Sequence, residues 1–142
     1  MKKILLSIVM IVLLTLSACN SDDDNNNDKP VLQNRWTLIN AQGGFSGTNQ
    51  NFDSGKVVWT FKTDGTVVVA NTDDSATPYM PFENGTYGYE VVPNPNSSTD
   101  YCKESININS STFYCYSIDE NNRLIIDSSP VDGFKYTFVR KN

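Results

Sequence analysis

The stretch Lys56-Val57-Val58-Trp59-Thr60-Phe61-Lys62-Thr63-Asp64-Gly65-Thr66-Val67-Val68-Val69-Ala70-Asn71 decides the fold class of this chain. Val57, Trp59 and Phe61 alternate with Val58, Thr60 and Lys62, the period of two that gives a strand one apolar face. Asp64-Gly65 then offers the positive-φ position that a tight hairpin needs, and β-branched residues return from Thr66 to Asn71. The pattern predicts two antiparallel strands, Lys56–Lys62 and Thr66–Asn71.

The same period continues on both sides. Upstream, Arg35–Gln42 carries Trp36 and Leu38 on one face. Downstream, beyond an irregular stretch holding Pro78 and Pro81, Gly85–Val92 sets Tyr87, Tyr89 and Val91 on one face and stops at Pro93 and Pro95. Lys103–Asn109 and Thr112–Ile118 are expected to meet at a two-residue turn, Ser110-Ser111, with Ile106 and Ile108 on the side of Phe113 and Cys115. Arg123–Asp127 holds Leu124 and Ile126, and Asp132-Gly133 leads into Phe134–Arg140. Nowhere does an apolar set recur at helical spacing over a dozen residues. Short antiparallel strands in succession predict an all-β domain, a meander sandwich or an up-and-down barrel, and eight strands is the number at which such a barrel closes.

Here the chain resembles the small bacterial lipocalin-like lipoproteins. Their first strand typically reads Leu-x-Gly-x-Trp-x-Leu, and Leu32, Asn34, Trp36 and Leu38 stand at those spacings, with Asn34 in the glycine position. The run Trp59 to Thr66 is similar to their aromatic hairpin, and Tyr136, Phe138 and Arg140 to their late Tyr-x-Phe-x-Arg strand. The resemblance spans residues 31–142. It implies an eight-stranded lipocalin-like barrel whose closed end pairs Trp36 with Arg140, and an interior able to take a small ligand.

Residues 1–30 are of another kind. Lys2 and Lys3 precede an apolar block from Ile4 to Leu16, about 13 residues against the roughly 20 that span a bilayer. With small residues after it, this is a secretory signal over residues 1–18. Leu16-Ser17-Ala18-Cys19 resembles the lipobox of bacterial lipoproteins, which implies cleavage before Cys19, acylation of its sulfur with fatty acid such as palmitate, and a membrane anchor. Residues 19–30 bring Asn20, Ser21, Asp22, Asp23 and Asp24 and no apolar run, a composition expected to stay disordered as a tether. A serine followed by acids behind the lipidated cysteine also resembles an export signal to the outer face of the outer membrane, so the expected location is the cell surface.

Taking Lys2 and Lys3 from the 11 basic residues leaves 9 against 16 acidic ones, a balance of −7. Nucleic acid is therefore not an expected partner. The chain contains no histidine, which removes the commonest general base and metal ligand. Glu83, Glu90 and Glu104 are expected on outer strand faces rather than as a catalytic pair, and the acidic turns at Asp73-Asp74 and Asp119-Glu120 lack the spacing of a calcium loop. The domain is accordingly read as non-enzymatic, with no metal and no cofactor.

Acylation of Cys19 would leave Cys102 and Cys115, an even pair in an oxidising compartment. The Ser110-Ser111 turn, however, sets Cys115 opposite Ile106 and leaves Cys102 roughly 13 Å further along. A disulfide then requires a different register or a bend before Lys103; otherwise the thiols stay apart.

Inward positions would be Trp59, Phe61, Val67, Val69, Tyr87, Tyr89, Ile106, Ile108, Phe113, Leu124, Ile126, Tyr136 and Phe138. Such an interior supports two readings. Either the side chains fill their own core and the loops bind a surface protein or glycan, or Trp59, Phe61, Tyr87, Tyr89, Phe113, Tyr136 and Phe138 line a cup for a small apolar or amphipathic ligand. Loops Gly43–Gly55 and Thr72–Asn84 are expected to rim it, the first as a glycine-rich lid.

Overall fold

A computed structural model describes residues 31–94 and 102–141. The expected signal peptide, tether and acylated Cys19 lie outside the described residues.

Nine strands form one antiparallel sheet: β1 (Arg35–Gly43), β2 (Thr48–Asn51), β3 (Val57–Phe61), β4 (Thr66–Asn71), β5 (Gly85–Pro93), β6 (Glu104–Ile108), β7 (Ser111–Ile118), β8 (Arg123–Asp127) and β9 (Phe134–Arg140). β1 and β3 to β9 follow one another around the sheet, and β9 pairs back onto β1, closing the expected eight-stranded barrel. Closure leaves those eight strands without a free edge. The founding hairpin pairs Phe61 with Val67 and Trp59 with Val69. At its tip the Asp64 carboxylate accepts from both the amide and the hydroxyl of Thr66, and Gly65 takes φ 78°.

β2 corrects the expected loop over Gly43–Gly55. Thr48-Asn49-Gln50-Asn51 has no apolar alternation to announce a strand, yet it pairs with β1 from Asn40↔Asn51 to Gly43↔Thr48. The Asn40 amide reinforces the ladder, donating to Asn49 Oδ1 at 2.7 Å and Asn51 Oδ1 at 2.9 Å. Gly43 lets β1 turn there while lying against β9: its φ is 132°, and a Cβ would stand 2.5 Å from the Gly133 carbonyl.

The β6–β7 turn differs from expectation by one residue. Ile108 pairs with Ser111, so the turn is Asn109-Ser110 and Asn109 takes φ 55°. Asparagine tolerates left-handed backbone better than serine does. Phe113, rather than Cys115, therefore faces Ile106, and the register shifts again between Glu104 and Ile106. That shift gives Tyr116 and Ile118 to the core beside Phe113, while Cys115, expected on the core face, bonds to Cys102 with Cα atoms 5.2 Å apart.

The core holds every side chain expected inward, with Tyr87 and Tyr89 half-buried and the others buried. To these it adds Leu32, Trp36, Leu38, Ala41, Phe52, Val57 and Ala76. The step from Leu38 to Ala41 is a β-bulge in β1, which shifts the inward face by one residue. Among the described residues the core runs from Leu32 to Phe138.

Candidate functional site

Strand direction sorts the barrel into two ends. One, the tether end, holds the start of β1 and the end of β9. Trp36 and Arg140 are direct register partners there, Trp36 fully buried and Arg140 exposed. Trp36 Nε1 donates to the Leu32 carbonyl at 2.8 Å, securing the chain just before β1. The other end, the mouth, holds the β1–β2 hairpin, the β4–β5 connection and the start of β9.

Six of the seven candidate ligand-binding side chains follow one another through the barrel by ring contact. Tyr89 meets Phe61 at 5.0 Å between centroids, Phe61 meets Trp59 at 6.3 Å, and Trp59 meets Phe138 at 5.0 Å and Tyr136 at 6.3 Å. Tyr136 in turn meets Phe113 at 6.3 Å. The seventh, Tyr87, connects only through Phe82, a side chain from outside the strands.

The tyrosines do not share one rim. Tyr89 Oη donates to the Lys62 carbonyl at 2.9 Å and accepts from Gln33 Nε2, toward the tether end. Tyr136 and Tyr87 face the mouth, donating to the Tyr79 carbonyl at 2.9 Å and the Glu83 carbonyl at 3.0 Å. Burial pushes the Tyr136 phenol well above its ordinary range. Trp59 has no exposed surface, and its Nε1 has no hydrogen-bond partner. A buried indole N–H without an acceptor costs of the order of 1–3 kcal/mol.

Segment 72–84, expected as a loop rimming a cup, folds into a 3-10 turn and packs rings onto the barrel. Asp73 caps the 3-10 turn Asp74–Tyr79 by accepting from the Ser75 amide, and Ala76 on that turn is buried. The segment's two ends are clipped together: the Asn71 amide donates to Asn84 Oδ1, and Asn84 Nδ2 donates to the Asn71 carbonyl at 3.0 Å. Between these ties the segment drops two rings onto the barrel. Tyr79 lies between Phe52 (6.2 Å) and Phe134 (6.1 Å), and Phe82 lies among Trp59 (5.7 Å), Tyr87 (5.0 Å) and Phe113 (6.0 Å). A groove of about 520 Å³ runs beside it, lined by Asn71, Asp74, Thr77, Met80, Pro81, Phe82, Glu83 and Asn84. Tyr79 and Phe82 are not among the side chains expected at the site. The available signal was an apolar run, Tyr79-Met80-Pro81-Phe82, inside an otherwise polar connection.

A second groove, of about 570 Å³, lies where β5 passes from pairing with β4 to pairing with β6. Glu90, Asn107 and Thr112 stand in one row across three strands there, and Asn107 Oδ1 is buried without a partner. The acidic turns behave as ordinary turns: Asp119 accepts from the amides of Asn121 and Arg123 and pairs with the Arg123 guanidinium at 2.7 Å. Compared with known proteins, the chain matches no family model, no curated protein and no solved structure.

Proposed function

We propose that this chain is a non-catalytic, lipid-anchored lipocalin-like barrel, held by acylated Cys19 at the bacterial outer membrane and exposed at the cell surface, which captures a small amphipathic molecule at its mouth. One observation carries the binding half of the reading. At the mouth a connecting segment packs Tyr79 and Phe82 onto the barrel, and Phe82 lies against Trp59, whose buried N–H has no acceptor. A barrel selected only for a filled core gains nothing from leaving that donor unpaired. Strand-borne rings of the interior are rigidly placed, whereas a clipped segment can exchange its contacts for those of a guest.

The reading is tested by native mass spectrometry of residues 31–142 purified without denaturation, together with displacement of a neutral solvatochromic dye. A bound small molecule of defined mass, and dye binding reversed by its extract, are expected. A ligand-free protein that also fails to take up the dye refutes capture. The anchoring half is tested by labelling cells with radioactive palmitate. Loss of the label and of membrane association in Cys19→Ser is expected, and retention of both refutes it. The row Glu90, Asn107 and Thr112 favours a second reading, a surface that binds a protein or glycan by its hydroxyl groups.

A further inference from the structure

Among the described residues, Phe82 is the one ring in contact with Trp59 that no strand provides. It also bridges Tyr87 on β5 and Phe113 on β7, so its removal would leave a space walled by three aromatic side chains. The polar atoms carried by the surrounding rings are alike in kind. Trp59 Nε1 is an unused donor, and the hydroxyls of Tyr87 and Tyr136 give their protons to carbonyls of the covering segment itself. Lifting residues 72–84 would therefore free two more donors. The charges beside the adjoining groove are Asp74 and Glu83, and neither that lining nor the core includes a lysine or an arginine. An anionic guest would enter a low-dielectric site without a counter-charge and close to two carboxylates.

We infer that Phe82 stands in for the guest: the ligand is a flat, uncharged ring bearing a hydrogen-bond acceptor, its ring replacing that of Phe82 and its acceptor taking the Trp59 N–H. This rests on the capture reading above and narrows it to one chemical class. A neutral aryl ketone or quinone fits; a long-chain fatty acid does not. The guest and segment 72–84 compete for the same space, so occupancy and cover release are one event.

The two tryptophans supply an internal control, because Trp36 Nε1 is already bonded to Leu32 while Trp59 Nε1 is not. The full chain carrying 15N-tryptophan shows each of its two indole N–H groups as its own signal. In Phe82→Ala, acetophenone is expected to move the Trp59 signal downfield and leave that of Trp36 in place, at a concentration at least tenfold lower than in the native chain. Toluene, the same ring without an acceptor, should bind without that downfield movement, and benzoate should bind at least tenfold more weakly than acetophenone. Binding of acetophenone and toluene alike with the Trp59 signal unmoved overturns the acceptor while leaving capture standing. A dispersed, folded spectrum that responds to none of the three overturns capture as well. A second measurement covers a variant that does not fold. In the native chain Trp59 should exchange its indole proton at least a hundredfold faster than Trp36, since only the cover need lift; equal rates overturn the role given to residues 72–84.

Discussion

Breaking the Cys102–Cys115 bond should destabilise the barrel by about 3 kcal/mol. The two residues are 13 apart in sequence, so the bridge closes a loop of about 14 residues, and the chain-entropy relation assigns such a loop close to 3 kcal/mol at 25 °C. An unfolding entropy of about 2.1 cal/mol/K per residue over some 110 residues turns that into a fall in Tm of about 13 °C. The perturbation is best made twice. Reduction of the native chain removes the cross-link alone, whereas Cys102→Ala with Cys115→Ala also removes a sulfur from a site where Cys115 is 3% exposed. The double variant should therefore lose about 1 kcal/mol more than the reduced protein. Calorimetric melting of oxidised, reduced and substituted chains measures all three. A shift on reduction below about 3 °C would refute the reasoning, because it would mean that the β6–β7 hairpin already constrains the unfolded chain as tightly as the bridge does. Two reactive thiols in denatured, unreduced mature protein would refute the bridge itself.

Other expectations follow from single contacts. The Tyr136 phenol is raised by burial, and Tyr116 is pushed up to about 12 by burial and then by the charges of Glu104 and Tyr89. Both are neutral when protonated, so the unfolded chain gives up these protons first: stability holds below about pH 10 and falls above it. Denaturant midpoints should drop steeply between pH 10 and 12 and less so in Tyr136→Phe; an equal drop in both contradicts the assignment. Asp119 is lowered despite the opposing effect of burial, through bonds from the Arg123 amide and side chain and from Asn121. Asp119→Asn should therefore cost stability at pH 7 and converge with the native chain as pH falls below the usual carboxylate range; a gap of constant size would exclude this origin. Gly43→Val should cost 3 kcal/mol or more, since a Cβ there meets the Gly133 carbonyl at 2.5 Å on a backbone with φ 132°. A melting point unchanged in that variant would show that β9 yields at no cost.

The strands were legible wherever burial imposed a period of two. Each of the eight expected strands agrees with its observed limits to within about a residue, because inward Trp59, Ile106 or Phe138 must alternate with residues facing water. β2 was not legible: Thr48 to Asn51 is polar throughout and is held by pairing with β1 and by the Asn40 amide. The site was legible in part. The interior rings were named from the sequence, but alternation assigns a face and says nothing of direction along the barrel. Tyr89 therefore turned out to serve the tether end, while Tyr87 and Tyr136 serve the mouth.

By itself the sequence determined an all-β domain of short antiparallel strands, since periodicity and turn chemistry act between neighbours along the chain, whereas closure by β9 on β1 is a distant contact. The lipobox-like Leu16-Ser17-Ala18-Cys19 is likewise a local pattern, and the proposed anchoring rests on it. Register, bulges and the fate of segment 72–84 were decided only by tertiary structure. Moving the β6–β7 turn to Asn109-Ser110 brings Phe113 opposite Ile106, and the further shift beyond Ile106 takes Cys115 to Cys102. Phe82 finds Trp59 across some twenty residues of sequence because the barrel leaves its mouth uncovered there. Such contacts are set by which gaps remain once the strands have closed, and no local pattern encodes a gap.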